Sequence, residues 1–311
     1  MLIVSTPVVS RIASVSLPCA SVSLALFLSL PSQASAQTTD AIGVRAQGMG
    51  GAFTAVADDA TAIYWNPAGL AGGALFNGLL EYARPDRESS ETVRGFSAAY
   101  PALGIAYYRL PVSQIRAKAS TETTPPGRED QGVLSLFGAT VGQSLGEHFV
   151  IGSTIKLLHA GDTHLGVDVG AMATFGPARI GATLHDVTAP TFDDDSGAAF
   201  TLERHVRAGF ALTSGKRGAI GQATLSVDAD LTKTDTFRGE ERSIAVGAEA
   251  WTQQQTFGIR GGFSKNTVGS TATLLSGGFS LMLRRGDFVD VYASTGDAVR
   301  HGWGLALRVT F

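Results

Sequence analysis

Cysteine is nearly absent from the sequence, and its one copy, Cys19, lies close to the start of the chain. The first 36 residues contain no Asp or Glu, one basic residue, an apolar run over residues 22–30 and a small-residue ending at Ala36. This order is typical of a secretory signal peptide, with Gln37 as the expected first residue of the mature protein. The mature chain would then lack cysteine, which excludes disulfides and thiol chemistry.

Charge is also scarce, since charged residues make up 16% of the chain and the formal net charge is −3. Without a basic block, nucleic acid is not an expected partner. Beyond the predicted signal peptide, no apolar run reaches the roughly 18 to 20 residues of a membrane-spanning helix. A place in a membrane would therefore require a closed β-barrel, because only helices and closed barrels satisfy their backbone groups in lipid.

What the sequence does have, from about Leu75 onward, is a repeated format in which a stretch of period-two alternation is followed by Gly, Pro, Asp, Ser or Thr. There are about 14 such segments, and an even number is typical of bacterial outer-membrane barrels. They begin near Leu75, Val93, Leu103, Gln131, Phe149, Leu165, Ala178, His205, Gln222, Ser243, Gln255, Ala272, Phe288 and Gly302. We therefore predict an all-β fold, a 14-stranded antiparallel transmembrane β-barrel.

The two faces of these segments differ in polarity. Around Leu225 and Val227, for example, one face is apolar, while the other carries Ser226 and Asp228. One face suits lipid and the other suits a polar lumen. The charged residues predicted to face the lumen are Asp168, Arg179, Arg207, Asp228, Asp230, Glu249, Arg260, Arg284 and Arg308. They would either pair across the lumen and hold a plug in place, or line a path for a solute.

A soluble antiparallel sheet also alternates, so the lengths of the connections matter. Links after odd-numbered segments are long or polar, as at residues 111–130 and 187–203, whereas those after even-numbered segments are brief, as at residues 101–102 and 176–177. An up-and-down barrel with long extracellular loops and short periplasmic turns predicts this asymmetry, and a Greek-key sandwich does not.

Aromatic residues cluster near the predicted periplasmic end. They are Phe149, Phe175, Trp251, Phe257, Phe288 and Phe311, and we expect them to form an interfacial girdle. The chain ends on Phe311 in an alternating strand, which resembles the C-terminal signal recognised by the outer-membrane barrel assembly machinery.

A glycine-rich motif precedes the first predicted strand. Asp58 or Asp59 would cap a short helical turn that runs to about Tyr64. Asn66 would cap a second turn, with Pro67 at its first position and Gly69 suited to ending it. The glycines from Gly48 to Gly51 permit tight packing or positive φ. The segment is too short to bury a core of its own.

From Arg45 to Leu70 the sequence resembles the long-chain fatty acid transporter (FadL/TodX) superfamily of outer-membrane proteins, and more specifically its PorV/PorQ-like branch. The resemblance implies a 14-stranded barrel with this segment folded inward as a hatch. Its motif residues are Gly48, Gly50, Gly51, Asp58, Asp59, Trp65, Asn66, Pro67 and Gly69. The domains are then a signal peptide (residues 1–36), a hatch (residues 37–74) and a transmembrane barrel (residues 75–311) in the outer membrane of a Gram-negative-type bacterium.

Three candidate chemical sites have simpler interpretations. The sequence 142–146 matches the G-x-S-x-G nucleophile elbow, but the residues after it alternate as a strand, which favours a hairpin turn. His159, Asp162 and His164 fit no standard metal-ligand spacing, and the acidic run 193–195 lacks the spacing of an EF-hand. Neither catalysis, nor a metal, nor a cofactor is expected.

Two functions remain open. The first is a passive channel for small hydrophobic solutes, in which the hatch closes the lumen or diverts solute sideways through the wall. The second, implied by the PorV/PorQ-like resemblance, is a non-transporting scaffold or shuttle that binds protein partners in type IX secretion. The expected partners are outer-membrane lipid, the barrel assembly machinery, and either a hydrophobic small molecule or secretion components.

Overall fold

The computed structural model describes residues 35–36, 41–85, 92–111, 133–193, 199–236, 239–269, 271–297 and 301–311. Most of the predicted signal peptide and of the acidic run 193–195 therefore lies outside the described residues. In the part of the chain that is described, no helix is long and apolar enough to cross a membrane.

Fourteen antiparallel strands pair in sequence order and close into a barrel. They are β2 (Asn77–Arg84), β3 (Val93–Tyr100), β4 (Leu103–Pro111), β5 (Val133–Leu145), β6 (Phe149–Ala160), β7 (Asp162–Phe175), β8 (Ala178–His185), β11 (His205–Ser214), β12 (Ile220–Asp230), β15 (Ser243–Thr252), β16 (Phe257–Asn266), β17 (Thr273–Arg284), β18 (Asp287–Gly296) and β19 (Gly302–Thr310). The closing ladder joins β19 to β2, with Leu305 opposite Tyr82. The predicted 14-stranded barrel is confirmed.

The remaining elements are short. They are strands β1 (Ser35–Ala36), β9 (Thr191–Asp193), β10 (Ala199–Leu202), β13 (Thr234–Thr236) and β14 (Gly239–Glu241), helices α1 (Val44–Gly48) and α2 (Ala62–Trp65), and a 3-10 helix at Pro67–Gly72. Strand β1 pairs in parallel with β10, and the predicted cleavage after Ala36 would remove it. Strands β9 and β10, and β13 and β14, form hairpins within two of the long connections.

The period-two alternation of the sequence gives each strand one face that points into the barrel and one face that points out of it. In β12, Leu225 and Val227 are 51% and 41% exposed, whereas Ser226 and Asp228 are fully buried. In β19, Leu307 is 50% exposed and its neighbour Ala306 is fully buried. Because successive side chains point to opposite faces of a strand, the barrel has an apolar outer surface and a polar inner one.

The two ends of the barrel differ in their connections. Short turns at residues 101–102, 146–148 and 176–177 lie at one end, together with the start of β2 and the end of β19. Gly146, the last residue of the G-x-S-x-G match, has φ +79° and lies in the turn between β5 and β6, as the hairpin interpretation requires. Short turns and both barrel termini mark the periplasmic end in barrels of this kind.

Four of the six aromatics expected in a girdle, Phe149, Phe175, Phe257 and Phe311, are exposed near this end. The expectation is wrong for Trp251 and Phe288. Phe288 is 7% exposed and Trp251 is half-buried, and they share their strand faces with the buried residues Glu249 and Asp290. The alternation within β15 and β18 therefore turns both rings inward.

Candidate functional site

The segment 41–73 has almost no exposed side chains, and it folds through short local hydrogen bonds. Asn66 caps the 3-10 helix, since its side chain accepts from Ala68 N at 3.1 Å and Pro67 occupies the first position. Asp59 accepts from Thr61 N at 2.9 Å just before α2. The Asn66 cap agrees with the sequence prediction. The prediction is wrong for Asp59, because the N-cap of α2 is Thr61, which makes no side-chain capping hydrogen bond.

Gly69 does not end the second turn as predicted, because the 3-10 helix continues to Gly72. A Cβ at Gly69 would instead collide with the backbone of Ala57. The position therefore needs glycine for close packing within the segment. Gly50 and Gly51, in contrast, have φ +67° and +79°, as the sequence led us to expect.

The backbone of this segment lies directly against inward-facing glycines of the strands. A Cβ added at Gly170, Gly181 or Gly262 would come within 3.0 Å of Asn66, Thr54 or Met49 respectively. These glycines belong to β7, β8 and β16, so the contacts extend around a large part of the barrel wall. Glycine on the inner face thus allows backbone-to-backbone contact that any larger residue would block.

Buried strand side chains bind the N–H groups of the segment. Asp228 on β12 accepts from Phe53 N at 2.9 Å and from Thr54 N at 2.8 Å. Glu81 on β2 accepts from Val44 N, the first residue of α1, at 2.7 Å. An unsatisfied buried N–H would cost about 1–3 kcal/mol, so these acceptors are needed for the segment to remain inside.

Strand hydroxyls satisfy carbonyl groups of the same segment. Thr154 on β6 donates to Ile63 O at 2.9 Å, and Thr183 on β8 donates to Trp65 O at 3.0 Å. The side chain of Asn66 donates to Ala171 O of β7 at 3.2 Å. Segment 41–73 is thus hydrogen-bonded to strands on several sides.

The first of two charge groups, the Arg45 cluster, joins the segment to β15 and the strands that follow it. Arg45 lies 2.5 Å from Asp58, 3.3 Å from Asp59 and 2.6 Å from Glu249. Glu249 is 3.5 Å from Arg260, which lies 3.4 Å from Asp290. Asp290 is paired in turn with Arg308 at 2.8 Å. The cluster is Arg45, Asp58, Asp59, Glu249, Arg260, Asp290 and Arg308.

Two members of this cluster that lie outside the strands, Arg45 and Asp58, are kept in their charged form by neighbouring charges. Burial alone would lower the pKa of the Arg45 guanidinium, but the carboxylates of Asp58, Glu249 and Asp59 raise that pKa well above its ordinary value. Burial would raise the pKa of Asp58, but Arg45 and Arg179 lower it below its ordinary value. Both groups are charged at neutral pH, and their attraction offsets the cost of burial.

The second group, the Lys156 cluster, lies at the other end of the interior. Lys156 Nζ is 2.8 Å from Asp168 and 2.6 Å from Asp186, and His185 Nδ1 is 3.3 Å from Asp168. The ring of His185 lies 6.1 Å from that of His205. The cluster is Lys156, Asp168, Asp186 and His185.

His205 links the Lys156 cluster to the residues around Asp228, the carboxylate that accepts hydrogen bonds from the backbone of segment 41–73. His205 Nε2 is 3.0 Å from Asp230, and Arg207 Nε lies 3.5 Å from Asp230 and 3.7 Å from Asp228. The Arg207 guanidinium also lies 5.4 Å from the ring of Trp65. Asp228 is therefore placed between this arginine and the backbone of Phe53 and Thr54.

Most of the charged residues predicted to face the lumen are brought together in this interior. Arg179 is only partly buried and lies 3.9 Å from Asp58. Arg284 is the exception, because it is exposed at the end of β17, beyond a register shift between Met282 and Arg284 and opposite Asp287, the first residue of β18. The structure therefore does not bring Arg284 together with the other charged residues that were predicted to face the lumen.

The sequence reasoning missed Glu81, Lys156 and Asp290. Each is a single charged residue among apolar neighbours, and each is less than 9% exposed. For Lys156 the sequence did contain a signal for an inward position, because this residue shares its strand face with Gly152 and Thr154 and not with Ile155 and Leu157. The strand period alone would have placed it inside.

This interior is suited to holding a segment in place. Among the described residues, no group of three or more His, Cys, Asp or Glu side chains is placed to hold a metal ion. His159 lies at the exposed end of β6 and bonds Thr163 at 2.9 Å, whereas His164 packs against Phe192 at 4.6 Å between ring centroids. The two histidines therefore contact different residues.

Several solved structures share the fold. The CymD monoaromatic hydrocarbon channel superposes with a TM-score of 0.59 at 12% identity, covering 88% of this chain and 99% of that one. The Ralstonia pickettii toluene transporter TbuX gives 0.58 at 12%, with the same coverage. A Pseudomonas aeruginosa FadL homologue gives 0.55 at 10%, covering 89% and 99%. At these identities the likeness establishes the fold alone.

Comparison at the level of sequence is less informative. The family model for the TraF protein of the F plasmid transfer operon matches residues 153–230, which is less than half of the chain. No curated protein matches. The closed 14-stranded barrel with its apolar outer surface is nevertheless that of a Gram-negative outer-membrane protein.

Proposed function

We propose that this protein is a passive outer-membrane channel for small hydrophobic solutes, closed in the described state by residues 41–73 acting as a hatch. The observation that carries the proposal is the position of this segment, whose backbone lies against inner-face glycines of β7, β8 and β16 and bonds to the buried Asp228. A segment so placed obstructs the lumen. The fold shared with a monoaromatic hydrocarbon channel and a toluene transporter supports the choice of solute.

The side chains of the hatch are consistent with an apolar solute. Phe53 and Tyr64 each pack edge-on against Trp65, with ring centroids 6.0 and 5.9 Å apart. The ring of Tyr64 also lies near that of His185, with centroids 5.7 Å apart. Aromatic faces of this kind bind apolar molecules through contact area and ring quadrupoles. A solute would move past them after a local rearrangement, while the charge pairs keep the hatch within the barrel.

Uptake of radiolabelled toluene tests the proposal. The assay uses cells that express the full chain in an outer membrane with few other porins, because lipopolysaccharide limits the entry of apolar molecules there. Expression should raise toluene uptake above that of vector-only cells and leave uptake of a polar sugar unchanged. Equal toluene uptake with and without the protein would contradict it.

The scaffold role in type IX secretion remains the prediction of the PorV/PorQ-like resemblance. Co-purification of secretion components or cargo with the gently solubilised barrel tests it independently of transport.

A further inference from the structure

An apolar groove of about 820 Å³ lies on the outer surface across β11, β12, β15 and β16. Its formation follows from the register, in which Leu225 pairs with Ala248 and Ala248 pairs with Gly261. Small residues on β15 and β16 thus lie beside large ones that project into lipid. The side chains that shape it include Leu212, Leu225, Ala248, Ala250, Ile259 and Gly261.

The groove lies at the periplasmic end of the barrel. Pro177, in the short turn between β7 and β8, and Ser214, the last residue of β11, also line it. Its deepest strand positions are only a few residues from the turns, so it would open into the periplasmic leaflet of the membrane.

The turn between β11 and β12 borders the periplasmic mouth of the groove and contains a pair of basic residues. Lys216 and Arg217 lie in the turn, separated from Ser214 by Gly215, and both are exposed. The turn is held by two backbone hydrogen bonds, from Arg217 N to Ile220 O at 2.8 Å and from Ile220 N to Arg217 O at 3.1 Å. The side chain of Gln253, in the neighbouring turn, donates to Gly218 O.

The three turns that border the groove contain no acidic residue. They are residues 176–177, 215–219 and 253–256, all of which the structure describes. No carboxylate in these turns therefore neutralises the positive charge of Lys216 and Arg217. An apolar groove with a basic mouth complements a molecule that has an acyl chain and an anionic headgroup.

We propose that this groove binds an anionic phospholipid of the periplasmic leaflet, with an acyl chain along Ala248 and Gly261 and the phosphate at Lys216 and Arg217. The site lies outside the barrel wall and does not depend on whether the lumen conducts solutes. It is a lipid site on the protein surface, separate from the hatch.

Native mass spectrometry of the full chain, released from detergent after titration with dioleoylphosphatidylglycerol or dioleoylphosphatidylcholine, tests the site. We expect one retained phosphatidylglycerol, with an affinity about tenfold or more above that of phosphatidylcholine, because each basic side chain strengthens binding to an anionic lipid. The double variant Lys216→Glu/Arg217→Glu should lose that preference. Ala248→Phe, at an exposed outer position, should fill the groove and weaken retention of phosphatidylglycerol by a similar factor of about ten.

Two control variants define the site. Arg284→Glu/Arg285→Glu makes the same charge change at the end of β17 and in the turn that follows it, and Ala139→Phe adds the same ring at an exposed position of β5. Both should change affinity by less than about twofold, because neither alters the groove or its mouth. Equal retention of the two lipids, equal loss in the controls, or full retention by Ala248→Phe would each overturn the proposal.

Discussion

Arg45 and Glu249 form an ion pair, with Nη2 and Oε2 2.6 Å apart, that joins the N-terminal segment to strand β15. The two side chains are 12% and 1% exposed, so neither charge is solvated if the other is removed. The pair is bidentate, since Arg45 Nε also donates to Glu249 Oε1 at 2.9 Å. The ion pair thus couples the stability of segment 41–73 to that of the barrel wall.

Removal of Arg45 should destabilise the protein strongly. Arg45→Ala leaves Glu249 buried without its closest partner, and we expect the free energy of unfolding to fall by about 3–5 kcal/mol. Arg45→Lys keeps the charge but loses the bidentate geometry, so its loss should be smaller. Urea titration in liposomes, followed by tryptophan fluorescence, measures both. Arg284→Ala, at an exposed position, should stay within about 0.5 kcal/mol of the wild type, and an equal loss there would refute a specific role for Arg45.

Acid should weaken a second ion pair of Arg45, the one that it forms with Asp58. The pKa of this carboxyl is lower in the folded protein than in the unfolded chain, so it stabilises the fold fully above the unfolded value of about 3.9. That contribution is lost as pH falls through the lower, folded value. The difference in urea midpoint between wild type and Asp58→Asn should therefore be constant from pH 7 to pH 5 and shrink at pH 3. A difference that grows on acidification would contradict the ion pair.

Two adjacent glycines on β16 provide a matched test of hatch packing. A Cβ at Gly262 would collide with the backbone of Met49, whereas the nearest atom to a Cβ at Gly261 is 3.7 Å away. Gly262→Ala should cost about 1–3 kcal/mol through displacement of the hatch. Gly261→Ala should be neutral or stabilising by up to about 1 kcal/mol. Similar values for the two variants would mean that the hatch does not contact this wall in solution.

The terminal aromatic is predicted to act during assembly. Phe311 is 70% exposed and stacks on Phe76 with ring centroids 6.0 Å apart. Phe311→Ala should reduce the folded fraction seen as heat-modifiable mobility on electrophoresis, if the assembly machinery reads this residue. Phe76→Ala removes the same stacking without altering the C-terminus and serves as the control. An equal reduction in both variants would assign Phe311 a packing role only.

Much of the barrel could be predicted from period-two alternation, because a wall one strand thick forces every residue to face lipid or lumen. Val93, Leu103 and His205 begin their strands as predicted, and Asn77 replaces Leu75. Individual inward positions were less predictable near strand ends, where the register shift at Met282 and Arg284 leaves a charged residue in solvent.

The contacts between the hatch and the wall could not be predicted in this way. Glu81 and Asp228 each bind backbone N–H groups of a segment distant in sequence, and no local pattern reports that pairing. The contacts of the inner-face glycines are equally hard to predict, since Gly262 and Gly261 look alike in sequence and differ only in the face of the strand that they occupy. Strand parity would separate such pairs once the register is known.

The most direct measurement of the central claim compares toluene uptake by cells that express wild-type protein with uptake by cells that express Asp228→Asn at equal amounts in the outer membrane. Asp228 accepts from the hatch backbone at Phe53 and Thr54, so loss of its charge should loosen the hatch while leaving the outer surface unchanged. We predict that wild type exceeds vector-only cells and that Asp228→Asn exceeds wild type. Uptake at the vector-only level in both would contradict a hatch-closed channel for hydrophobic solutes.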